Sequence, residues 1–305
     1  MSNFGLVSIC TPPYLHAPIA LAALGAGKHV LVEKPMAASL QECDEMIAAA
    51  ARAGRLLSVV FQNRFSPDIW RTKALVDSRQ LGRLIFGKCE TVWYRGQNYY
   101  DVAWRGTWET ECGGAIMNHA IHSIDAFLWV MGEAASVYAD MEALAHDIEV
   151  EDIAMAIVRF RSGAMGQVIG TVDGHRDYVA MEINGEHAAV AVPWELSAKL
   201  PDGRGFPVPN AALVDRLEQY ANSVPLPAAT GHTAQVGDLL RAIRTGGRPL
   251  ADGIEGRRSI EFITAVYKSA TTGERVNLPL DESDPFYTTR GLHGGVRRLA
   301  LGKRP

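Results

Sequence analysis

Short apolar runs alternating with longer helical stretches open the chain. Gly5–Cys10 is an apolar run, Thr11-Pro12-Pro13 a turn, and the Ala- and Leu-rich sequence from His16 to Ala26 predicts a helix. Gly27 is placed to end that helix. His29–Glu33 then predicts a second buried strand ending at Lys34-Pro35, Leu40–Ala53 a second helix and Leu56–Phe61 a third strand. Apolar strands separated by helices form βαβ units, which imply a parallel sheet with right-handed crossovers.

Beyond Arg64 the pattern changes. A helix is expected over 67–78, a strand over Leu84–Tyr94, then a long aromatic, glycine-bearing loop to Gly114 and one helix from Ala115 to Met131. Runs at Ala135–Leu144, Ile153–Arg161, Ala164–Val172, Tyr178–Asn184 and Ala188–Trp194 alternate polar and apolar residues, as antiparallel strands do. Helices follow at about Thr233–Thr245 and Ile254–Thr272, the latter introduced by Asp252 and Glu255 in the spacing of a capping box. The Gly-, Pro- and charge-rich end reads as an extended tail, able to pack on a partner subunit. The expected fold class is α/β plus α+β, divided as 1–64, 65–280 and a tail over 281–305.

Composition narrows the function classes. With 48% hydrophobic and 21% charged residues, 305 residues bury a core of one or two domains. The 30 basic and 34 acidic residues leave a net charge of −4, so no global field favours nucleic acid or an anionic membrane as partner. Cys10, Cys43, Cys89 and Cys112 form no CxxC pair, which argues against a zinc ribbon or disulfide framework and fits a reducing cytoplasm. No apolar run approaches the ~20 residues of a membrane helix, and the start lacks a secretory pattern.

In a doubly wound sheet ligands sit beyond the carboxyl ends of the strands, which singles out Thr11–Pro13 and Glu33–Pro35. Turn chemistry and a solvated strand end are the plainer explanation of the same residues. On the helix from Ala115, about 100° per residue puts Asn118, His122, Asp125 and Trp129 on one face and Met117, Ile121, Ile124 and Leu128 on the other. Gly113-Gly114 lets backbone approach closely, and free N–H groups at such a helix start favour an oxyanion or hydroxyl. His122 reads either as a catalytic base or as a half-buried histidine satisfied by Asp125 or a carbonyl. His119, His122 and Asp125 invite a metal reading, but no other ligand cluster supports one, and no metal is expected.

Thr11-Pro-Pro-Tyr-Leu-His16, Ala-Gly-Lys-His-Val-Leu-Val-Glu-Lys-Pro35, Gln62-Asn-Arg-Phe65, Arg105-Gly-Thr-Trp108, Gly113-Gly-Ala-Ile-Met-Asn-His-Ala-Ile-His-Ser-Ile-Asp125 and Asp252–Thr272 form an ordered set. In it the chain resembles the Gfo/Idh/MocA family of NAD(P)-dependent oxidoreductases over most of its length. The resemblance implies a truncated Rossmann-like parallel sheet followed by a large, mostly antiparallel sheet. It implies NAD or NADP as cofactor, a sugar, cyclitol or nucleotide-sugar as substrate, and a homodimer or homotetramer formed through that sheet.

By the same resemblance Lys34, Asn118 and His122 are the catalytic set. Hydride transfer from a secondary alcohol needs a base for the hydroxyl proton, suiting His122, and a cation for the developing alkoxide, suiting Lys34. Many members carry aspartate where Asn118 stands; an amide cannot titrate, so Asn118 orients. Thr11, Pro12, His16, Glu33, Lys34, Pro35 and Arg64 are the expected cofactor contacts. Arg95, Tyr99, Trp104, Arg105 and Trp108 form a candidate sugar-binding surface or domain-interface packing, with His119 as a further substrate contact.

The family's G-x-G-x-x-G turn and the acid after its second strand precede the segment that corresponds here to Gly5, and no such turn stands near this N-terminus. The expectation is that roughly half of the nucleotide domain is not encoded, through a late start, a fragment or a shortened protein. The strand edge near Leu6–Ile9 is then open, and the chain is expected to be poorly stable alone. A non-catalytic family member that binds a ligand or dimerises is the alternative function.

Overall fold

The computed structural model describes residues 5–296. Strand β1 (Leu6–Ile9), helix α1 (His16–Gly25), strand β2 (His29–Val32), helix α2 (Leu40–Ala53) and strand β3 (Leu57–Val59) form a parallel three-stranded sheet in the order β1-β2-β3. Val30, Leu31, Val32, Leu57 and Val59 are all buried, as strands covered on both faces must be. Ser39 caps α2 by accepting the Glu42 N–H, and Gly54 ends it at φ +61°.

Helix α3 (Pro67–Asp77) leads into strand β4 (Leu84–Tyr94), and after the aromatic loop come α4 (Ala115–Asn118) and α5 (Ile121–Met131). Strands β5 (Ala134–Glu142), β6 (Ile153–Phe160), β7 (Met165–Thr171), β8 (Asp173–Gly185), β9 (Ala189–Val192) and β10 (Glu195–Ser197) follow. Then come a small hairpin, β11 (Lys199–Pro201) with β12 (Pro207–Pro209), helices α6 (Ala211–Ser223), α7 (Gly231–Thr245) and α8 (Gly253–Thr272), strand β13 (Val276–Asn277) and helix α9 (Thr289–Gly295). The large sheet runs β10-β9-β8-β4-β7-β6-β5-β13, antiparallel except for the β4–β7 pair.

One face of this sheet lies under α5 and α8. Contact is close: a Cβ at Gly87 would stand 2.7 Å from the Phe127 ring, and one at Gly166 would stand 3.2 Å from the same ring. Along β6 buried and exposed positions alternate, and the outer face shows Tyr138, Met155, Ile157, Met165 and Phe86 to solvent. Leu239 of α7 packs on Leu31 and Val60, covering the parallel sheet on the side away from α1 and α2. The edge of β3 is sealed by Gln235, which accepts the Phe61 N–H at 2.8 Å and donates to the Val59 carbonyl at 2.6 Å.

Four features differ from the sequence reading. The single helix expected from Ala115 to Met131 is broken at His119–Ala120, where both amides turn back to the Ala115 carbonyl. The capping box at α8 is half formed: Asp252 accepts the Ile254 and Glu255 N–H groups, but the Glu255 carboxylate turns instead to Arg64 and Arg258. Within the segment read as an extended tail, Thr289–Gly295 form α9, and Phe286, Tyr287, Leu292 and Val296 are buried on their own chain; residues 297–305 of that segment lie outside the described residues. Strands β10 to β12 and helix α6 fall in sequence left unassigned. Among the described residues no helix is long and apolar enough to cross a membrane.

Candidate active site

The loops after β1 and β2 meet at the carboxyl end of the small sheet. His16 holds them together: its buried ring sets Nδ1 2.7 Å from the Pro35 carbonyl and Nε2 2.8 Å from the Thr11 carbonyl. Burial lowers its pKa, against the pull of both carbonyls. The neutral ring has one N–H and so donates to one of these two carbonyls, and the residue is 1% exposed.

From this junction Lys34 reaches across the domains. Its ammonium donates to the Asn118 carbonyl at 2.9 Å, where α4 gives way to α5. Burial lowers the Lys34 pKa, with Glu33 opposing the shift. Asn118 spends its amide N–H groups on the Glu111 carbonyl at 3.1 Å and the Gly113 carbonyl at 2.7 Å, which fixes the turn before α4. The expected free N–H groups at this turn are already taken. Glu151 accepts from Gly114 at 3.0 Å and Ile116 at 2.9 Å, and its carboxylate also meets the Tyr267 hydroxyl at 3.1 Å. Burial pushes the Glu151 carboxyl up to about 8.

His122 sits on the first turn of α5, partly buried and edge-on to Phe61 at 6.2 Å between centroids. Its Nδ1 has no hydrogen-bond partner among the described residues. Asp125 does not serve it, being committed to Arg64. Burial first, then the Lys34 charge and His232, push the His122 imidazole down to about 3, so at neutral pH it is uncharged with a lone pair to offer. Thr11 Oγ1 and Gln62 Oε1, near the carboxyl ends of β1 and β3, are likewise buried and unpartnered. Such orphaned polar atoms fit the amide and ribose of a nicotinamide.

The aromatic loop forms a third wall. The Arg105 guanidinium lies over Tyr99 at 3.9 Å and Trp104 at 4.2 Å, and that of Arg95 lies over Trp93 at 5.2 Å and Tyr99 at 5.3 Å. The Tyr99 hydroxyl meets Arg105 and, at 3.2 Å, His119 Nε2. His119 is buried; burial and then Arg95, Lys34 and Arg105 push it down to about 3. Glu111, absent from the sequence reading, accepts the Gly106 N–H at 2.5 Å and pairs with Arg105 at 3.3 Å.

Two expected contacts point away. Arg64 is 1% exposed, with its Nε and Nη2 on the two oxygens of Asp125 at 2.7 Å, Nη2 also on Glu255 at 2.8 Å and Nη1 on the Leu250 carbonyl. Burial works against its charge, and Asp125 and Glu255 overcome it. Arg64 therefore ties its loop to α5 and α8 rather than lining a crevice. Trp108 is 7% exposed, edge-on to Tyr267, and gives its N–H to the Glu149 carbonyl, so it packs the core.

His146, Asp152 and Asp173 form the one group among the described residues whose ligand atoms lie close enough to share a metal ion. Asp152 already accepts the Leu144, Ala145 and His146 N–H groups, and His146 Nε2 faces the Arg95 carbonyl at 2.9 Å. The cluster thus braces the loop that carries Arg95. Glu151 and Asp152 lie between the runs Ala135–Leu144 and Ile153–Arg161 assigned as strands, in sequence given no role.

A family model described as the GFO/IDH/MocA C-terminal domain matches residues 69–191, and one described as the oxidoreductase family, NAD-binding Rossmann fold, matches residues 1–61. The WlbA dehydrogenase from Bordetella pertussis, solved with NADH and UDP-GlcNAcA, superposes with a TM-score of 0.78 at 34% identity, over 92% of this chain and 82% of that one. Levoglucosan dehydrogenase in complex with NADH and levoglucosan gives a TM-score of 0.75 at 25% identity, over 90% and 81%. A 1-carboxy-3-chloro-3,4-dihydroxycyclohexa-1,5-diene dehydrogenase of Comamonas testosteroni is 35% identical over 66% of this chain. The match spans about half of that protein, 49% of its length. The chain belongs to the Gfo/Idh/MocA family of oxidoreductases, whose nucleotide domain is an NAD-binding Rossmann fold.

Proposed function

We propose that this chain is an NAD(P)-dependent dehydrogenase acting on a hydroxyl or keto carbon of a sugar, cyclitol or nucleotide-sugar. The observation that carries the reading is the Lys34 ammonium bonded to the Asn118 carbonyl, near enough for its charge to act on the unpartnered His122 imidazole, beside the strand ends where Thr11 Oγ1 and Gln62 Oε1 stand unpartnered. A bound nicotinamide supplies the hydride acceptor. Thr11, Pro12, Glu33, Lys34 and Pro35 border it. His122, uncharged, takes the substrate hydroxyl proton; Lys34 stabilises the alkoxide charge; Asn118 holds the turn that aligns them. The relatives solved with sugar-type ligands and NADH support this reading.

The outer face of the large sheet, with Tyr138, Met155, Ile157 and Met165 between 39 and 50% exposed, supports a homodimer or homotetramer formed there. The four cysteines are all unpaired, which supports a cytoplasmic setting. The alternative is a family member that binds a ligand without turnover. Nicotinamide reduction in the presence of a sugar and cyclitol panel separates the two. Turnover supports the dehydrogenase, and saturable sugar binding without turnover supports the alternative.

A further inference from the structure

The charges around this site do not balance. Lys34, Arg95 and Arg105 all bear on His119, while the carboxylates near them are Glu33, which turns to the Lys34 amide, and Glu111. Glu111 is taken by Arg105 and the Gly106 N–H, and burial raises its pKa, which weakens its hold as a counter-ion. Lys34 donates to a neutral carbonyl. Among the described residues no carboxylate pairs with Arg95, whose Nη1 donates to the Tyr94 carbonyl. Both guanidinium groups lie over rings, Arg95 over Trp93 and Tyr99, Arg105 over Tyr99 and Trp104. A guanidinium fixed in this way presents a planar edge of N–H donors at little entropic cost, the arrangement that receives an oxyanion.

We infer that the substrate carries an anionic group, a carboxylate or phosphate on its sugar-like ring, received by Arg95 and Arg105. The inference rests on the dehydrogenase reading only for the position of the reacting hydroxyl, near Lys34 and His122. An anion there completes the charge balance that the protein leaves open. Its field also reaches His119 and raises the affinity of that part of the site for protons, whereas a neutral sugar does neither.

Calorimetric titration of glucuronate, glucose 6-phosphate and glucose into the 305-residue chain tests this without any cofactor. At least one anion is expected to bind about ten-fold or more tighter than glucose, the worth of one charge-assisted hydrogen bond. Glucuronate against glucose 6-phosphate tells carboxylate from phosphate. The preference should fall in Arg95→Gln, persist in part in Arg95→Lys, shrink in the unaltered chain as salt rises, and survive Lys88→Gln on the outer sheet face. Equal affinities, tighter binding of glucose, or no binding of any of the three overturns the inference. Anion preference without nicotinamide-linked turnover overturns the dehydrogenase reading instead, and turnover confined to neutral sugars does the reverse.

Discussion

The Lys34 ammonium sits 2.9 Å from the Asn118 carbonyl, at the position that the His122 amide would fill in an unbroken helix. A residue from the nucleotide-side sheet thus completes the helix break that presents the candidate base. This hydrogen bond ties the candidate cation to the turn from which the candidate base projects.

Replacement of His122 by Ala is expected to lower kcat by about 10²–10⁴, the range of a lost general base, with nicotinamide affinity changed little. Lys34→Ala is expected to lower kcat and to weaken cofactor binding as well, because Lys34 also shapes the β2 loop. Steady-state kinetics beside fluorescence titration separates the two effects. Unchanged turnover in His122→Ala removes it as the base.

The pH dependence follows from the same pair. On the proposed mechanism activity needs His122 uncharged and Lys34 charged. His122 is lowered to about 3, so deprotonation is complete well below neutrality, and no acid limb is expected near the ordinary histidine value of 6.5. Lys34 is lowered from 10.5, so the alkaline loss of kcat/KM should set in below that value. An acid limb between pH 6 and 7 that vanishes in His122→Ala contradicts this assignment.

Arg64 and Asp125 make the most deeply buried ion pair in the described chain, both 1% exposed. Asp125→Ala leaves the guanidinium buried with one carboxylate partner, and about 3–5 kcal/mol of stability should be lost. The double variant Arg64→Met with Asp125→Ala should lose less than the sum of the single changes. Urea denaturation reads both, and a loss under about 1 kcal/mol in Asp125→Ala refutes a structural role for the pair.

Gly114 has no room for a side chain: a Cβ would lie 1.8 Å from the Glu151 carbonyl oxygen. Gly114→Ala must therefore displace the turn that Asn118 and Glu151 hold. Losses of about 1–3 kcal/mol in stability and at least ten-fold in turnover are expected together. Full turnover in a destabilised variant means the turn does not position the site.

Much of the fold was legible in the chain. Leu40–Ala53 and Leu84–Tyr94 have the ends read from the sequence; a serine cap and Gly54 bound the helix locally, and the middle of the strand alternates buried and part-buried residues. The break at His119 was not legible, since the Lys34 ammonium that completes it comes from 84 residues earlier. Distance in sequence also hid Glu151, which reaches the Gly114 amide across 37 residues. Arg64 misled for the opposite reason: a polar residue after a strand reads as a crevice residue, and only the tertiary fold supplies the Asp125 and Glu255 that draw it inward. The β11–β12 hairpin is built from short proline-bearing runs without periodicity.

The most direct test is nicotinamide reduction by the purified chain with sugar acids, sugar phosphates, neutral sugars and cyclitols, run beside His122→Ala. Substrate-dependent reduction that disappears in the variant is the expected result. Reduction that persists unchanged in His122→Ala, or its absence with every substrate despite saturable NADH binding, contradicts the account.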